Sequence, residues 1–246
     1  MKCKVMGIVN VTPDSFSDGG RYFEPKEAIR RANNLIADGA DIIDLGGEST
    51  RPGATPIGWE EEWRRLEPVI AGLELGAGGP GGARRPVAVS VDTYHPETAA
   101  RAIAAGVGIV NCVYAEPIPE MARLLAGNAV ELVLPSSALS RLPDPDSLLP
   151  RLYLDPMIGF GTTREEDVAL LRSIPELAKQ GRVLIGASRK RIVKKLTGEK
   201  LTGKNLGGNL GIAVWAALQG ASVVRVHDVK ETVQALRVIA QLKGAE

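Results

Sequence analysis

The sequence predicts a closed eight-stranded α/β barrel, a (β/α)8 TIM barrel, as a single domain over 1–246, and three observations predict it. Eight short apolar runs recur: "VMGIVNV", "DIIDLGG", "VAVSVDT", "GIVNCVY", "AVELVLP", "RLYLDPM", "VLIGAS" and "VVRVHD". Amphipathic stretches of helical period separate most of them. Strands alternating with helices specify a parallel sheet, and eight such units close it. The length of 246 residues suits one barrel of this kind. An open doubly wound sheet ranks lower, because no phosphate loop or dinucleotide fingerprint follows the first run.

The elements follow in order. The first run begins at Val5, without the charged, apolar and cleavage regions of a signal peptide. "NVTPDSFSDGGRYF" is then too rich in turn formers to be helix or strand. "PKEAIRRANNLIADG" and "PETAARAIAAG" each start at a Pro suited to a first turn and end at a Gly suited to a C-cap. "GGESTRPGATP" forms a second polar loop around Glu48, Thr50 and Arg51. In "WEEEWRR", Trp59 and Trp63 pack inward at i,i+4 spacing and the charges form a solvated face. "GAGGPGGARRP" is a flexible loop before the third strand. Between the fifth and sixth runs, the three prolines of "SSALSRLPDPDSLLP" leave room for one helical turn, so the fifth helix is reduced or missing. "NLGGNLGIAVWAALQGA" is apolar enough to lie partly in a dimer interface.

Charge and cysteine content exclude several classes. Thirty basic and 29 acidic side chains nearly cancel, so no polybasic surface for nucleic acid or membrane is expected. Cys3 and Cys112 have neither metal-ligand spacing nor a disulfide framework. No apolar stretch approaches a membrane span. A soluble cytoplasmic protein is expected.

Polar residues at the run ends share a parity. Ala88, Ser90 and Asp92 fall on one face of their strand, and Val87, Val89 and Val91 on the other. With the branched residues turned toward helices, Asp92 points into the barrel at its C-terminal tip. The same counting puts Asn10, Asp44, Asn111 and Asp155 near the ends of strands one, two, four and six. Lys190 follows the seventh, and Arg225 and His227 share a face of the eighth. Barrel active sites lie on this rim, with phosphate sites after strands seven and eight. Two cations facing an anion is therefore the expectation for "VVRVHD". Taken singly, each Asp or Asn is a common cap or turn residue; convergence from several strands argues for function. His95, before a Pro at a helix start, reads as a surface residue.

"MGIVNVTPDSFSDGG", "GADIIDLGGESTRPGA", "SVDT", "LDPMIGFG", "SRK" and "RVHDVKET" occur in that order from residue 5 to about 240. Together they resemble the dihydropteroate synthase family of pterin-binding barrels. The resemblance implies condensation of 4-aminobenzoate with 7,8-dihydropterin-6-ylmethyl diphosphate, giving 7,8-dihydropteroate and pyrophosphate for folate synthesis. It also implies Mg2+ and a homodimer. By the same resemblance, Asp92, Asn111 and Asp155 would hold the pterin, and Lys190 would reach both pterin and aminobenzoate. Asn10 would bind the diphosphate-associated Mg2+, and Arg225 and His227 the diphosphate. Asp14 and Asp18, with Thr50, Arg51, Pro52 and Phe16, match positions that close over the site. Asp44, Phe160 and Ser188 match substrate-contacting positions. Catalysis would be electrostatic: Lys190, Arg225, His227, Asp14 and Asp18 act around a departing diphosphate, with no dedicated strong base.

Several positions depart from the family pattern. Cys112 stands where Asp is usual, Met157 where Gly is usual, Thr162 for Lys, and Arg191 for a small hydroxyl residue; the fifth strand ends "LVLPSSA". A modified amine acceptor is compatible with these changes. Two rival functions are a methyltetrahydrofolate-corrinoid methyltransferase-like barrel and a catalytically degenerate pterin-binding paralogue. The first has no leaving diphosphate to use the cations of "SRK" and "RVHD".

Overall fold

The computed structural model describes residues 3–12, 25–49, 54–73, 87–125, 127–142 and 144–244. Eight parallel strands close on themselves in chain order, with the first pairing to the eighth. They are β1 (Lys4–Asn10), β2 (Ile42–Gly46), β3 (Ala88–Asp92), β4 (Ile109–Asn111), β5 (Glu131–Pro135), β6 (Leu152–Asp155), β7 (Arg182–Ile185) and β8 (Val223–Val226). The helices are α1 (Pro25–Ala37), α2 (Trp59–Gly72), α3 (Pro96–Ala104), α4 (Ile118–Leu125), α5 (Pro145–Leu148), α6 (Arg164–Arg172), α7 (Ile174–Ala178), α8 (Arg191–Thr197), α9 (Leu206–Leu218) and α10 (Val229–Leu242). None of the described helices is long and apolar enough to cross a membrane.

The expected barrel is therefore present, with its period-2 logic. Val89 and Val91 pack outward with Leu66, Val69 and Ala102 in the shell between strands and helices. The interior floor takes one residue from every strand: Met6, Ile42, Ala88, Ile109, Val133, Tyr153, Leu184 and Val223. Two residues further along, the same faces carry Asp44, Ser90, Asn111, Asp155 and Arg225. Register aligns this polar storey, pairing Asp44 with Ser90 and Asp92 with Asn111. Alternation alone thus separates an apolar floor from a polar mouth. Tyr153 closes the floor; its ring lies 4.0 Å beneath the Arg182 guanidinium and its hydroxyl donates to Glu131 at 3.2 Å.

The fifth unit is reduced, as the prolines demand. A 3-10 segment (Ser136–Arg141), the single turn α5 and a second 3-10 turn (Leu149–Arg151) replace a full helix. Arg151 braces the thinned wall by donating to the carbonyls of Leu125, Asn128 and Val130. Pro25 and Pro96 open α1 and α3, and Gly39 and Gly106 follow them at φ +103° and +96°.

Two expectations on α2 and its neighbours need correction. "WEEEWRR" is not wholly a solvated face: Glu62 is completely buried and accepts from Thr93 Oγ1 at 2.6 Å. Trp63 does pack against the core, and Trp59 is half-buried beneath the Arg101 guanidinium. His95 is not a surface residue either. Its ring leans on Tyr94, and Nε2 lies 3.1 Å from Glu48 Oε2. Burial of Glu62 raises its pKa.

Candidate active site

The C-terminal mouth of the barrel collects Asn10, Asp92, Asn111, Asp155, Phe160, Ser188, Lys190, Arg225 and His227, with Asp44 beneath it. Asp14, Phe16, Asp18, Thr50, Arg51 and Pro52 lie outside the described residues. At the centre, Arg225 donates from Nε to Asp44 Oδ2 and from a terminal nitrogen to Asp92 Oδ2, both at 2.6 Å. Asn111 Nδ2 donates to the same Asp44 oxygen at 3.2 Å. Asp44 is fully buried and stands below the mouth. Its role is now legible: it anchors one strand's cation and another strand's amide. Gly186 and Gly46 border this arrangement at ordinary contact distances. A Cβ on Gly186 would meet Arg225 Cδ at 3.8 Å and Asp155 Oδ2 at 4.0 Å, and one on Gly46 would meet Asp92 and Asn10 Oδ1.

Charge balance follows from burial. Burial works against the Arg225 charge, but Asp44 and Asp92 outweigh it and raise its pKa above the ordinary value. Asp92 is pushed up to about 7 by burial, with Asp44 and Glu62 adding to the rise and Arg225 opposing it. Its Oδ1 is buried without a hydrogen-bond partner among the described residues. Burial also raises Asp155, against the pull of Lys190 and of the Met157 N–H, which donates to Asp155 Oδ1 at 2.7 Å. Lys190 falls to about 8, chiefly by burial.

The β8 pair is not a pair of cations. His227 is pushed down to about 4 by burial, then by Arg189 and Arg225, so its ring is neutral at pH 7. Nδ1 lies 3.1 Å from Ser188 Oγ, and the Arg31 guanidinium donates to the His227 carbonyl at 3.0 Å. Arg189 pairs with Asp228 at 2.6 Å, and its backbone N–H donates to Asn209. Arg31, Arg189 and Asp228, none of them expected here from the sequence, thus surround the β8 end. Arg189 lies inside the "SRK" motif, which was the available signal.

The β6–α6 loop carries two of the departures from the family pattern, Met157 and Thr162. Met157 takes φ +63°, a left-handed conformation that Gly adopts without strain. Thr162 Oγ1 donates to Asp167 at 2.5 Å, and Phe160 lies under the Lys190 ammonium at 4.3 Å. Pro135 ends β5 opposite Asp155 in the register. Cys112 is buried, its thiol pushed up to about 12 chiefly by burial, so it is no nucleophile at neutral pH. Arg191 is exposed at the start of α8.

Residues 6–142 and 148–227 match the profile of the family described as "Pterin binding enzyme". The dihydropteroate synthase of Neisseria meningitidis serogroup C is 36% identical over 277 residues, covering 96% of this chain and 91% of that protein. The chain belongs to the dihydropteroate synthase family of pterin-binding enzymes. The Bacillus subtilis member is 38% identical over 254 residues, covering 94% of this chain and 85% of its own length. Among solved structures, Xanthomonas albilineans dihydropteroate synthase with 4-aminobenzoic acid superposes with a TM-score of 0.86 at 38% identity, covering 100% of this chain and 95% of that one. The same enzyme in complex with 7,8-dihydropteroate gives 0.82 at 35% identity, covering 98% and 94%.

Proposed function

We propose that this chain condenses 4-aminobenzoate with 7,8-dihydropterin-6-ylmethyl diphosphate to form 7,8-dihydropteroate and pyrophosphate. The observation that carries the reading is the set of acceptors and donors at one mouth: buried Asn111 and Asp155 and half-buried Asp92 and Lys190 around Arg225. A pterin's amino-pyrimidinone edge presents adjacent N–H donors, which suit the Asp155 carboxylate and the unpartnered Asp92 Oδ1. Asn111 offers the complementary amide, and the Arg225 guanidinium offers a flat cation for a flat ring.

The mechanism asks for binding and electrostatics more than proton transfer. The pterin ring delocalises the positive charge left on its methylene as the C–O bond to the diphosphate breaks. Arg225 and Lys190 offset charge growing on the leaving group. The neutral His227 ring, with Ser188 on Nδ1, can donate a hydrogen bond from Nε2 to a diphosphate oxygen. The neutral aryl amine attacks the methylene and then loses a proton to solvent.

Magnesium fits the mouth. Asn10 Oδ1 lies beside the space that a Gly46 side chain would fill, next to Asp92, and such an ion takes few protein ligands when substrate phosphates supply the rest. Asn10 would hold it, and bound Mg2+ would neutralise diphosphate charge. Among the described residues there is no three-residue His, Cys, Asp or Glu cluster for a metal.

A cytoplasmic homodimer completes the reading. Leu206 and Trp215 of α9, with Leu196 and Leu201, are exposed apolar side chains that a second copy would cover. Sedimentation at micromolar concentration tests this, a monomer mass being the contrary result. For the activity, incubation with both substrates and Mg2+ should yield chromatographically resolved 7,8-dihydropteroate. Pterin binding without product would instead favour the degenerate paralogue.

A further inference from the structure

Asp167 lies on α6, outside the mouth, and is completely buried. Its carboxylate has three donors. Oδ1 accepts from the Gly159 N–H at 2.7 Å and from Thr162 Oγ1 at 2.5 Å, and Oδ2 accepts from Arg164 at 2.5 Å. The Gly159 N–H belongs to the same peptide unit as the Ile158 carbonyl, and that carbonyl accepts from Lys190 Nζ at 2.7 Å. One peptide plane is therefore gripped at both ends, by a carboxylate on its N–H and by an ammonium on its oxygen. Each hydrogen bond polarises the peptide in the sense that strengthens the other.

The surrounding chain does not fix this geometry by itself. Met157 takes φ +63°, a left-handed position that costs a non-glycine residue and needs external support, while Gly159 and Gly161, at φ +79° and +71°, adopt theirs without strain and add freedom that the two hydrogen bonds restrain. Packing is close on the other side as well, since a Cβ on Gly159 would stand 3.1 Å from Lys190 Cδ. Phe160, the next residue, sets its ring under the same ammonium.

We propose that Asp167 is a positioning residue for the Lys190 ammonium, acting through the Ile158–Gly159 peptide. The proposal rests on Lys190 contacting substrate, as read above, but its structural half can be tested without turnover. D167A should lower kcat/KM for the pterin diphosphate by about 10- to 100-fold, the scale of a displacement near 1 Å in a reacting group. In a K190A background the same change should cost less than about twofold, because residues acting as one unit are non-additive. A purely structural role for Asp167 predicts the same factor in both backgrounds, and that result overturns the proposal.

The second readout is the Lys190 ammonium 1H–15N resonance at pH 6, assigned by its loss in K190A. Its exchange with solvent should be at least about tenfold faster in D167A, as expected when a local hydrogen bond opens. Unchanged exchange overturns the proposal even if activity falls. If the wild-type protein makes no dihydropteroate, the functional reading fails and this exchange measurement decides the positioning claim by itself. Should D167A not fold, D167N takes its place in both experiments. Its neutral amide oxygen is a weaker acceptor for the Gly159 N–H than the carboxylate, and its amide nitrogen faces the Arg164 donor, so the same changes are expected at smaller size.

Discussion

Replacing Asp44 with Ala tests whether the mouth is organised from below. Asp44 is fully buried, and its Oδ2 accepts from Arg225 Nε at 2.6 Å and from Asn111 Nδ2 at 3.2 Å. Removing it leaves the Arg225 charge with Asp92 alone and strands the Asn111 amide beside a small cavity. Breaking one partner out of a buried ion pair costs about 3–5 kcal/mol. For a chain of this size each kcal/mol lowers Tm by about 2–4 °C, so the expected fall is roughly 6–20 °C. Differential scanning calorimetry at pH 7 reads it directly. D44N, which keeps the shape and one acceptor, should lose less than half as much. Loss of Asp44 also removes one of the charges that raise Asp92, so the Asp92 carboxyl should titrate lower in D44N than in the parent, as read by 13C NMR of labelled aspartate. A D44A variant melting within about 2 °C of the parent would refute the reasoning, since that is no more than about 1 kcal/mol.

Other predictions follow from single groups. M157G should raise Tm by a few degrees at most, because relief of a left-handed non-glycine residue, about 1–2 kcal/mol, is partly offset by the greater freedom of Gly in the unfolded chain; a lower Tm contradicts it. Because Lys190 falls to about 8, kcat/KM for the pterin diphosphate should decline as pH rises through that value, and the decline should be absent in K190R. His227 is held near 4 against 6.5 ordinarily, so between those values the unfolded chain binds a proton that the native state does not. Its contribution to stability is present above pH 6.5 and is lost as pH falls toward 4; H227Q should flatten that part of a stability–pH curve. E62Q should leave Tm at pH 7 within about 3 °C of the parent or above it, since burial already disfavours the Glu62 charge and an amide can keep the Thr93 bond.

Strand parity made much of the site legible in the sequence. Ala88, Ser90 and Asp92 could be placed inward from the valines between them, and the same count located Asn111, Asp155 and Arg225. Three prolines foretold the one-turn α5. Charge state was less legible. "RVHD" reads as two cations until Arg189 and Arg225 are seen beside a half-buried ring, and nothing local tells that Asp44 and Asp92, from strands far away in sequence, reach Arg225. Glu62 carried a signal that composition hid: it lies three residues after Trp59 and four before Leu66, on the stripe that faces the core. Asp167 stands likewise four residues before buried Leu171. Two of its three partners, Gly159 and Thr162, come from a loop whose path passes through three left-handed residues, and periodicity carries no information on such a path.

The most direct test of the account is pyrophosphate release from 7,8-dihydropterin-6-ylmethyl diphosphate with Mg2+, measured with and without 4-aminobenzoate. The account predicts release that requires the amine and yields one pyrophosphate per dihydropteroate formed. Tight pterin binding with no amine-dependent release would contradict it.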